Sequence, residues 1–378
     1  MTMRILHTAD WHLGIDLYKL SMIEDQRWFK QQLKTIVEEE NIDVILVAGD
    51  VYDTVLASKE AIEIYDDIMY MLCMELKKKV IVIAGNHDSA TRLASLSRLL
   101  KGMGLYVVGS LQEKVAGIEL EDCMIYPIPY FHVEQVRKAY DVDVHSQEEA
   151  FSCICQDILS HADNKHRHIA MAHAFLASAD VCESDRFANV GGVDLVPSSI
   201  FDGFSYTAMG HLHRRQHAGG RVWYSGSPLP YSFSEANQRK GVLIYDSKKD
   251  TIEKRDITPL HPLHVLKGSY EELKKGMLEQ GAEAAAYVKI EVTDLPVSYE
   301  MLEYFRQGYE NLLQLSGKSM EQEQTSITIR LQDLETVSDL DIVTQFFQDY
   351  YGEELSETAK KLFQQAQQEV EGEAAYAT

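Results

Sequence analysis

The sequence predicts an α/β fold over roughly its first 250 residues, and three observations carry that prediction. Short apolar runs rich in β-branched residues alternate with longer stretches of helical periodicity. Several of the runs, Val-Ile-Leu-Val-Ala at 44–48 and Val-Ile-Val-Ile-Ala at 80–84 among them, end directly in polar, turn-forming residues. From about His264 the alternation is of a different, smaller α+β kind. In chain order the β-rich runs are Arg4–His7, Asp43–Ala48, Val80–Ala84, Ile169–Ala172, Tyr206–Met209, Val222–Ser225 and Val242–Tyr245. The helical stretches between them are Glu24–Glu40, Lys59–Leu76, Thr91–Leu100 and Gln147–His161. Past His264, Ala286–Val292 and Ser326–Leu331 read as strands around a helix at Tyr299–Leu315. In the tail, Leu340, Val343, Phe346, Phe347 and Tyr350 recur at helical spacing before Gly352. Ser356 then suits the N-cap of a second helix, with Leu362, Phe363, Ala366 and Val370 on one face. The expected domains are therefore 1–262, 263–334 and 335–378.

Composition narrows the function. A chain of 378 residues is too long for one ordinary domain, and 45% hydrophobic with 25% charged residues excludes wholesale disorder. No apolar run approaches the roughly 18 residues that span a bilayer, and the first ten residues lack a secretory h-region. Five cysteines (Cys73, Cys123, Cys153, Cys155, Cys182) form no CxxC pair, which argues against a disulfide framework or a cysteine zinc site and for a reducing cytosol. The net charge is −23, and Glu321–Thr378 alone holds 13 acids against three bases. A nucleic-acid binder needs Lys and Arg against phosphates. If this chain handles nucleic acid, metal ions, a local basic face or a partner must supply the attraction.

Five segments concentrate Asp, His and Asn at strand ends: Asp10-Trp11-His12, Gly49-Asp50, Gly85-Asn86-His87-Asp88, Ala172-His173 and Gly210-His211-Leu212-His213. The parallel runs place all five on one rim of the sheet, where open α/β sheets bind ligands. Oxygen and imidazole donors without thiolate suit hard or borderline divalent ions. A pair of ions needs one group touching both, and Asp50, closing a central strand after Gly49, is the natural bridge. Asp10, His12 and His213 would complete one ion's shell; Asn86, His173 and His211 would complete the other's.

These same residues carry a resemblance. HTADWHLG at 7–14, GDVYD at 49–53 and GNHD at 85–88 resemble the calcineurin-like metallophosphoesterase signature. HAFLASADVCESDRF at 173–187, GHLHRRQ at 210–216 and WYSGSPLPYSFSE at 223–235 are similar to the SbcD family of nuclease subunits, over essentially the whole chain. Ala9 stands where a Ser is frequent and Ser205 where an acid is common; neither is a ligand position. The resemblance implies a four-layer αββα sandwich with a small α+β capping domain and C-terminal helices. It implies two Mn²⁺ ions, with Mg²⁺ as a substitute, and hydrolysis of DNA in end processing, replication, recombination and repair. The activities implied are an ATP-dependent double-strand exonuclease and a single-strand or hairpin endonuclease. No GxxxxGK[ST] loop is present, so ATP hydrolysis falls to another chain, an SbcC-type coiled-coil ATPase bound by the C-terminal helices. A homodimer within a heterotetramer, in the cytoplasm at the nucleoid, completes the expectation.

His87, beside Asn86, is placed to protonate or stabilise the leaving oxygen, with Asp88 orienting its imidazole or capping the helix before Thr91. Asp53 shapes the loop after Asp50 or touches a ligand. Arg92, Arg214 and Arg215 flank the site segments and stand to meet DNA phosphates. His7 reads as a packed core residue, and His132, His161, His166, His168, His217, His261 and His264 as surface or structural. The alternative activity is a small-molecule phosphodiesterase or phosphatase using the same metals. A scaffold without catalysis would be expected to have lost ligands, and all seven are present.

Overall fold

Strands covered on both faces read as continuous apolar runs, and such runs form the middle of the N-terminal unit. The computed structural model describes residues 3–180, 195–280, 286–318, 328–330 and Lys360. The chain divides into two units, Met1–Leu263 and His264–Thr378.

The N-terminal unit holds two six-stranded sheets. The first runs in the order Thr251–Asp256, Gly241–Asp246, Arg4–Thr8, Val44–Ala48, Lys79–Ile83, Leu105–Val108, and the last four strands are parallel. The second runs Gln216–His217, Val222–Tyr224, Tyr206–Gly210, Arg167–His173, Cys123–Pro127, Ile118–Leu120, with its four inner strands parallel. Ile5, Leu46, Ala48, Ile81 and Ile83 of the first sheet share one buried cluster with Ile125, Ile169, Met171, Tyr206 and Ala208 of the second, so the sheets pack face to face. On the far side of the second sheet, Ala170, Ala172 and Met209 pack with Phe151, Ile154 and Ile158 of the Gln147–Ser160 helix and Val136 of Val133–Tyr140. On the far side of the first, Leu6, Ile45, Val47, Val80 and Val82 are also fully buried, and the helices Ile23–Glu39 and Lys59–Tyr70 offer Phe29, Leu33, Val37, Ile64 and Ile68 as cover. The layers are α, β, β, α.

Two helical expectations change in detail. Lys59–Leu76 is α-helical to Tyr70 and closes in a π turn at Met71–Glu75. Thr91–Leu100 is broken into Ala90–Leu93 and Ser97–Leu100 by Leu96, whose φ of +59° no α-helix accommodates. The Thr251–Asp256 strand is not legible in the sequence because it is an edge strand of mostly charged residues, which edges favour and propensity does not.

In the second unit a four-stranded sheet runs Leu263–Gly268, Tyr287–Val292, Leu312–Ser316, Thr328–Arg330, with helices Tyr270–Gln280 and Tyr299–Arg306. The helix expected over Tyr299–Leu315 is corrected here. It stops at Arg306, with Gly308 and Tyr309 both donating to the Phe305 carbonyl, and Leu312–Ser316 pairs parallel to Tyr287–Val292. A Leu-Leu-Gln-Leu run suits a buried strand as well as a helix, and pairing in the sheet decides. The C-terminal helices expected over 335–378 lie outside the described residues apart from Lys360. No described helix is long and apolar enough to cross a membrane.

Candidate metal centre

The five Asp, His and Asn segments meet at one rim, but that rim belongs to two sheets, not to one. Asp10, Asp50 and Asn86 leave the first sheet; His173 and the His211–His213 segment leave the second. Sequence runs show that strands are parallel without showing which sheet each joins. The Asp10 and Asp50 loops extend the pairing of their strands: Asp10 N–H donates to the Gly49 carbonyl (3.0 Å), His12 N–H to Asp50 (3.0 Å) and Leu13 N–H to Val51 (2.9 Å). Asp10, His12, Asp50 and His211 all take positive φ (53°, 42°, 47° and 102°). The DxH and HxH side chains therefore converge through left-handed turns and not through extended i, i+2 geometry. Gly49 has φ +92°, and a Cβ there would meet the His173 ring at 2.2 Å. A Cβ on Gly85 would meet Asp50 Oδ1 at 2.1 Å. These two glycines let ligands of different loops close up.

The side chains form two adjoining groups around Asp50. In one, His12 Nε2 lies 3.1 Å from His213 Nε2 and 3.8 Å from Asp50 Oδ2. In the other, Asn86 Oδ1 lies 3.0 Å from both His173 Nε2 and His211 Nδ1, and His173 Nε2 lies 3.2 Å from Asp50 Oδ2. Asp10 sits between strand ends, with Oδ1 accepting the His211 N–H (2.9 Å) and 3.9 Å from His173 Nδ1. Its Oδ2 is buried with no hydrogen-bond partner among the described residues.

The electrostatics describe a site short of positive charge. Burial, reinforced by Asp50 and opposed by His173, raises the Asp10 carboxyl to about 7. Burial would raise Asp50 too, but His173, His12 and His87 outweigh it and hold its carboxyl well below the ordinary range. Burial opposes protonation of His173, yet Asp50 and Asp10 lift it to about 9. Burial and the neighbouring His173 push His211 down to about 3. Without a cation the protein thus keeps a proton on His173, between two carboxylates, as local compensation.

Five residues that orient this set lie outside the seven expected ligands. His213 Nδ1 lies 3.2 Å from Glu235 Oε1, and Glu235 is fully buried in an ion pair with Lys240. Lys240 also donates to the His213 carbonyl (2.8 Å) and to Ser227 Oγ (2.9 Å). Gln26, buried on the Ile23–Glu39 helix, donates to the His12 carbonyl (2.9 Å) and accepts from Gly14 N–H (3.0 Å), clamping that loop. Asp53 Oδ1 lies 3.3 Å from His12 Nδ1. His173 Nδ1 donates to the Ala48 carbonyl (2.9 Å), which turns its Nε2 toward Asn86 and Asp50. The only sequence signal for Glu235 and Lys240 is an acid and a base closing an aromatic, Ser-rich segment. Replacing Glu235 by Gln should weaken divalent-ion binding by about 10–100-fold, with calorimetric titration of Mn²⁺ as the measurement.

His87 donates its backbone N–H to Asp50 Oδ1 (2.9 Å) and rests edge-to-face on His12 at 4.8 Å. Its Nδ1 is 2.8 Å from the Asp53 carbonyl, which fixes the proton there and leaves Nε2 open. The expected role of Asp88 as its partner is corrected. Asp88 accepts from the backbone N–H groups of Val51 (3.1 Å), Tyr52 (2.9 Å) and Gly85 (2.9 Å), which ties the Asp50 loop to the Asn86 loop. Both its oxygens are used on backbone, and it caps no described helix. His7 is fully buried against Tyr206 (2.8 Å), and burial lowers it to about 3. Arg92 donates to the Val55 carbonyl (3.3 Å), Arg214 pairs with Asp180 (3.2 Å) and Arg215 with Asp256.

The residues fit divalent cations. Nitrogen and oxygen atoms 3.0–3.2 Å apart are what adjacent ligands on one ion require when bonds are about 2.1 Å long, and the free Asp10 oxygen points to the same use. The family model described as calcineurin-like phosphoesterase matches residues 3–215. One described as type 5 capsule protein repressor C-terminal domain matches 259–354. The SbcD subunit of the nuclease SbcCD from Staphylococcus epidermidis is 31% identical over 362 residues, covering 94% of this chain and 95% of the relative. Its counterpart from Staphylococcus saprophyticus is 28% identical, covering 95% and 96%. The convergence of these Asp, His and Asn residues on an αββα rim, and likeness along nearly the whole of both chains, lead to one conclusion: this chain belongs to the calcineurin-like phosphoesterases and, within them, to the SbcD family.

Proposed function

We propose that this chain is the nuclease subunit of an SbcCD-type complex, hydrolysing DNA phosphodiester bonds with two divalent cations, Mn²⁺ by preference and Mg²⁺ as a substitute. The observation that carries the reading is the convergence of Asp10, His12, Asp50, Asn86, His173, His211 and His213 on one rim, around a buried carboxylate set at the junction of two donor groups. Asp10, His12 and His213 would hold one cation, Asn86, His173 and His211 the other, with Asp50 between them. Bound there, the cations supply the charge that neutralises the scissile phosphate and activates water for attack. The protein's own groups do the rest. Glu235 and the Ala48 carbonyl hold His213 and His173 in the tautomers that present Nε2 inward. Asp50 fixes the His87 backbone, and the Asp53 carbonyl takes the ring's Nδ1 proton, so Nε2 is the nitrogen that can carry a second proton toward the substrate. As water adds to phosphorus and the bond to the leaving oxygen breaks, His87 in its imidazolium form gives that oxygen the Nε2 proton and is left neutral, its Nδ1–H still on the Asp53 carbonyl.

In this reading residues 1–262 are the nuclease domain, 263–334 a capping domain that contacts DNA, and 335–378 the segment that binds an SbcC-type ATPase. The test is a single-turnover assay of the purified chain with Mn²⁺ on hairpin DNA, single-stranded DNA and a chromogenic phosphodiester. Cleavage of both DNAs is the expected result; hydrolysis of the chromogenic ester alone would make the chain a small-molecule phosphodiesterase.

Deleting Ser338–Thr378 tests the partner segment. Mn²⁺-dependent cleavage of hairpin DNA by the isolated chain should be nearly unchanged, while co-elution with the ATPase and ATP-dependent degradation of duplex ends should be lost. Retained co-elution at micromolar concentration would place the joint elsewhere.

A further inference from the structure

Beside the metal centre lies a second concave site, a recess of about 480 Å³ on the N-terminal unit. Among the described residues its lining is Arg214, Arg215, Arg239 and Lys254 against a single carboxylate, Asp256, with Asn237 and Gln238 as the remaining wall. On a chain of net charge −23, four cations around one recess call for an explanation.

We infer that this recess seats the sugar-phosphate backbone of a DNA strand whose scissile phosphate lies at the metal centre. The inference rests on the nuclease reading and adds to it a second point of hold.

The chemistry of the lining selects the ligand. Every described side chain in it is charged or an amide, so it offers guanidinium forks, an ammonium and amide N–H groups to phosphate oxygens. Among the described residues no aliphatic or aromatic side chain lines it, so it lacks the apolar platform that a nucleotide pocket offers a base. Such a site grips backbone and ignores sequence.

The charges divide into a fixed wall and free arms. The Arg215 side chain is only 6% exposed, held by Asp256 and by the Arg255 carbonyl (3.0 Å). Arg214 is exposed and shares an exposed pair with Asp180, an arrangement worth little in water and easily exchanged for phosphate. Arg239 and Lys254 are exposed and have no carboxylate within ion-pair distance among the described residues. Lys254 Nζ lies 5.4 Å from the centre of the Trp223 ring.

Position links the recess to the centre. Arg214 directly follows His213, and Arg239 directly precedes Lys240, which binds the His213 carbonyl and the Glu235 carboxylate. Gln238 reaches the same ammonium at 3.1 Å. A strand held in the recess is therefore registered against a metal-ligand candidate through short, buried, hydrogen-bonded structure.

The test uses the full-length chain carrying Arg239→Gln and Lys254→Gln together. Binding of a fluorescein-labelled single-stranded oligonucleotide is read by anisotropy in EDTA across a salt series. Cleavage of hairpin DNA and of bis(p-nitrophenyl) phosphate is read with Mn²⁺. Oligonucleotide affinity should fall about tenfold, and the slope of log affinity against log salt should shrink by about 1.4, the value for two lost contacts on a single strand. The kcat/KM for hairpin DNA should fall by a similar factor, while that for the small diester, which has no second phosphate to seat, should stay within about twofold. An unchanged salt slope, or a parallel loss on both substrates, would overturn the inference while leaving the nuclease reading in place. A wild-type chain that hydrolyses the small diester but neither binds nor cuts DNA would overturn both.

Discussion

Replacing Asp50 by Asn is expected to abolish Mn²⁺-dependent DNA cleavage while leaving the fold intact. Asp50 Oδ2 lies 3.2 Å from His173 Nε2 and 3.8 Å from His12 Nε2, so one oxygen faces both donor groups. An amide carries no charge and cannot serve two dications with comparable strength. Loss of several kcal/mol of charge stabilisation corresponds to a fall of about 10²–10³-fold or more. The backbone should tolerate the change. Asn is among the residues that accept a φ of +47°, and its carbonyl oxygen can still take the His87 N–H. The measurements are hairpin cleavage, metal content and thermal midpoint. Wild-type cleavage by the variant would defeat the two-cation arrangement.

His87→Ser is the second large effect. The ring touches the ligands only edge-on through His12, and its one fixed hydrogen bond goes to the Asp53 carbonyl. If its task is to protonate the leaving oxygen, turnover should drop by about 10²-fold or more, with two Mn²⁺ ions per chain still bound. The deficit should shrink on a substrate whose leaving group is a nitrophenolate, because that anion departs without a proton. A variant that loses one ion by metal analysis would make His87 a ligand instead, grouped with His12 and Asp53.

Much of this is legible in the sequence because burial on both faces writes strands as unbroken apolar runs, and because each run ends where its loop must bind. Val44–Ala48 followed by Gly49-Asp50 shows both features in seven residues. What escapes a sequence reading does so for physical reasons. Leu312–Ser316 has no helical or strand period that a short all-buried run could display. Glu235 acts through a hydrogen bond to a ring reached only by folding, and a buried acid looks like any other acid until its neighbours are placed. Asp88, next to His87 in sequence, suggests a partnership that its three backbone bonds rule out. Adjacency along the chain is the wrong guide there; adjacency of loops is the right one.

The sharing of the rim between two sheets has a kinetic consequence. Asp10 and His211, joined by a hydrogen bond, are 201 positions apart, and each of the two expected ion shells draws donors from both sheets. A divalent ion therefore finds its full set of donors only after the sheets have docked, late on the folding path. Adding Mn²⁺ to a refolding reaction should leave the folding rate nearly unchanged and slow unfolding, since the bonds it makes are absent from the transition state. The ion would act as a latch on the finished sandwich and not as a seed for it, and the lifetime of the native state, more than the speed of reaching it, would follow the metal supply.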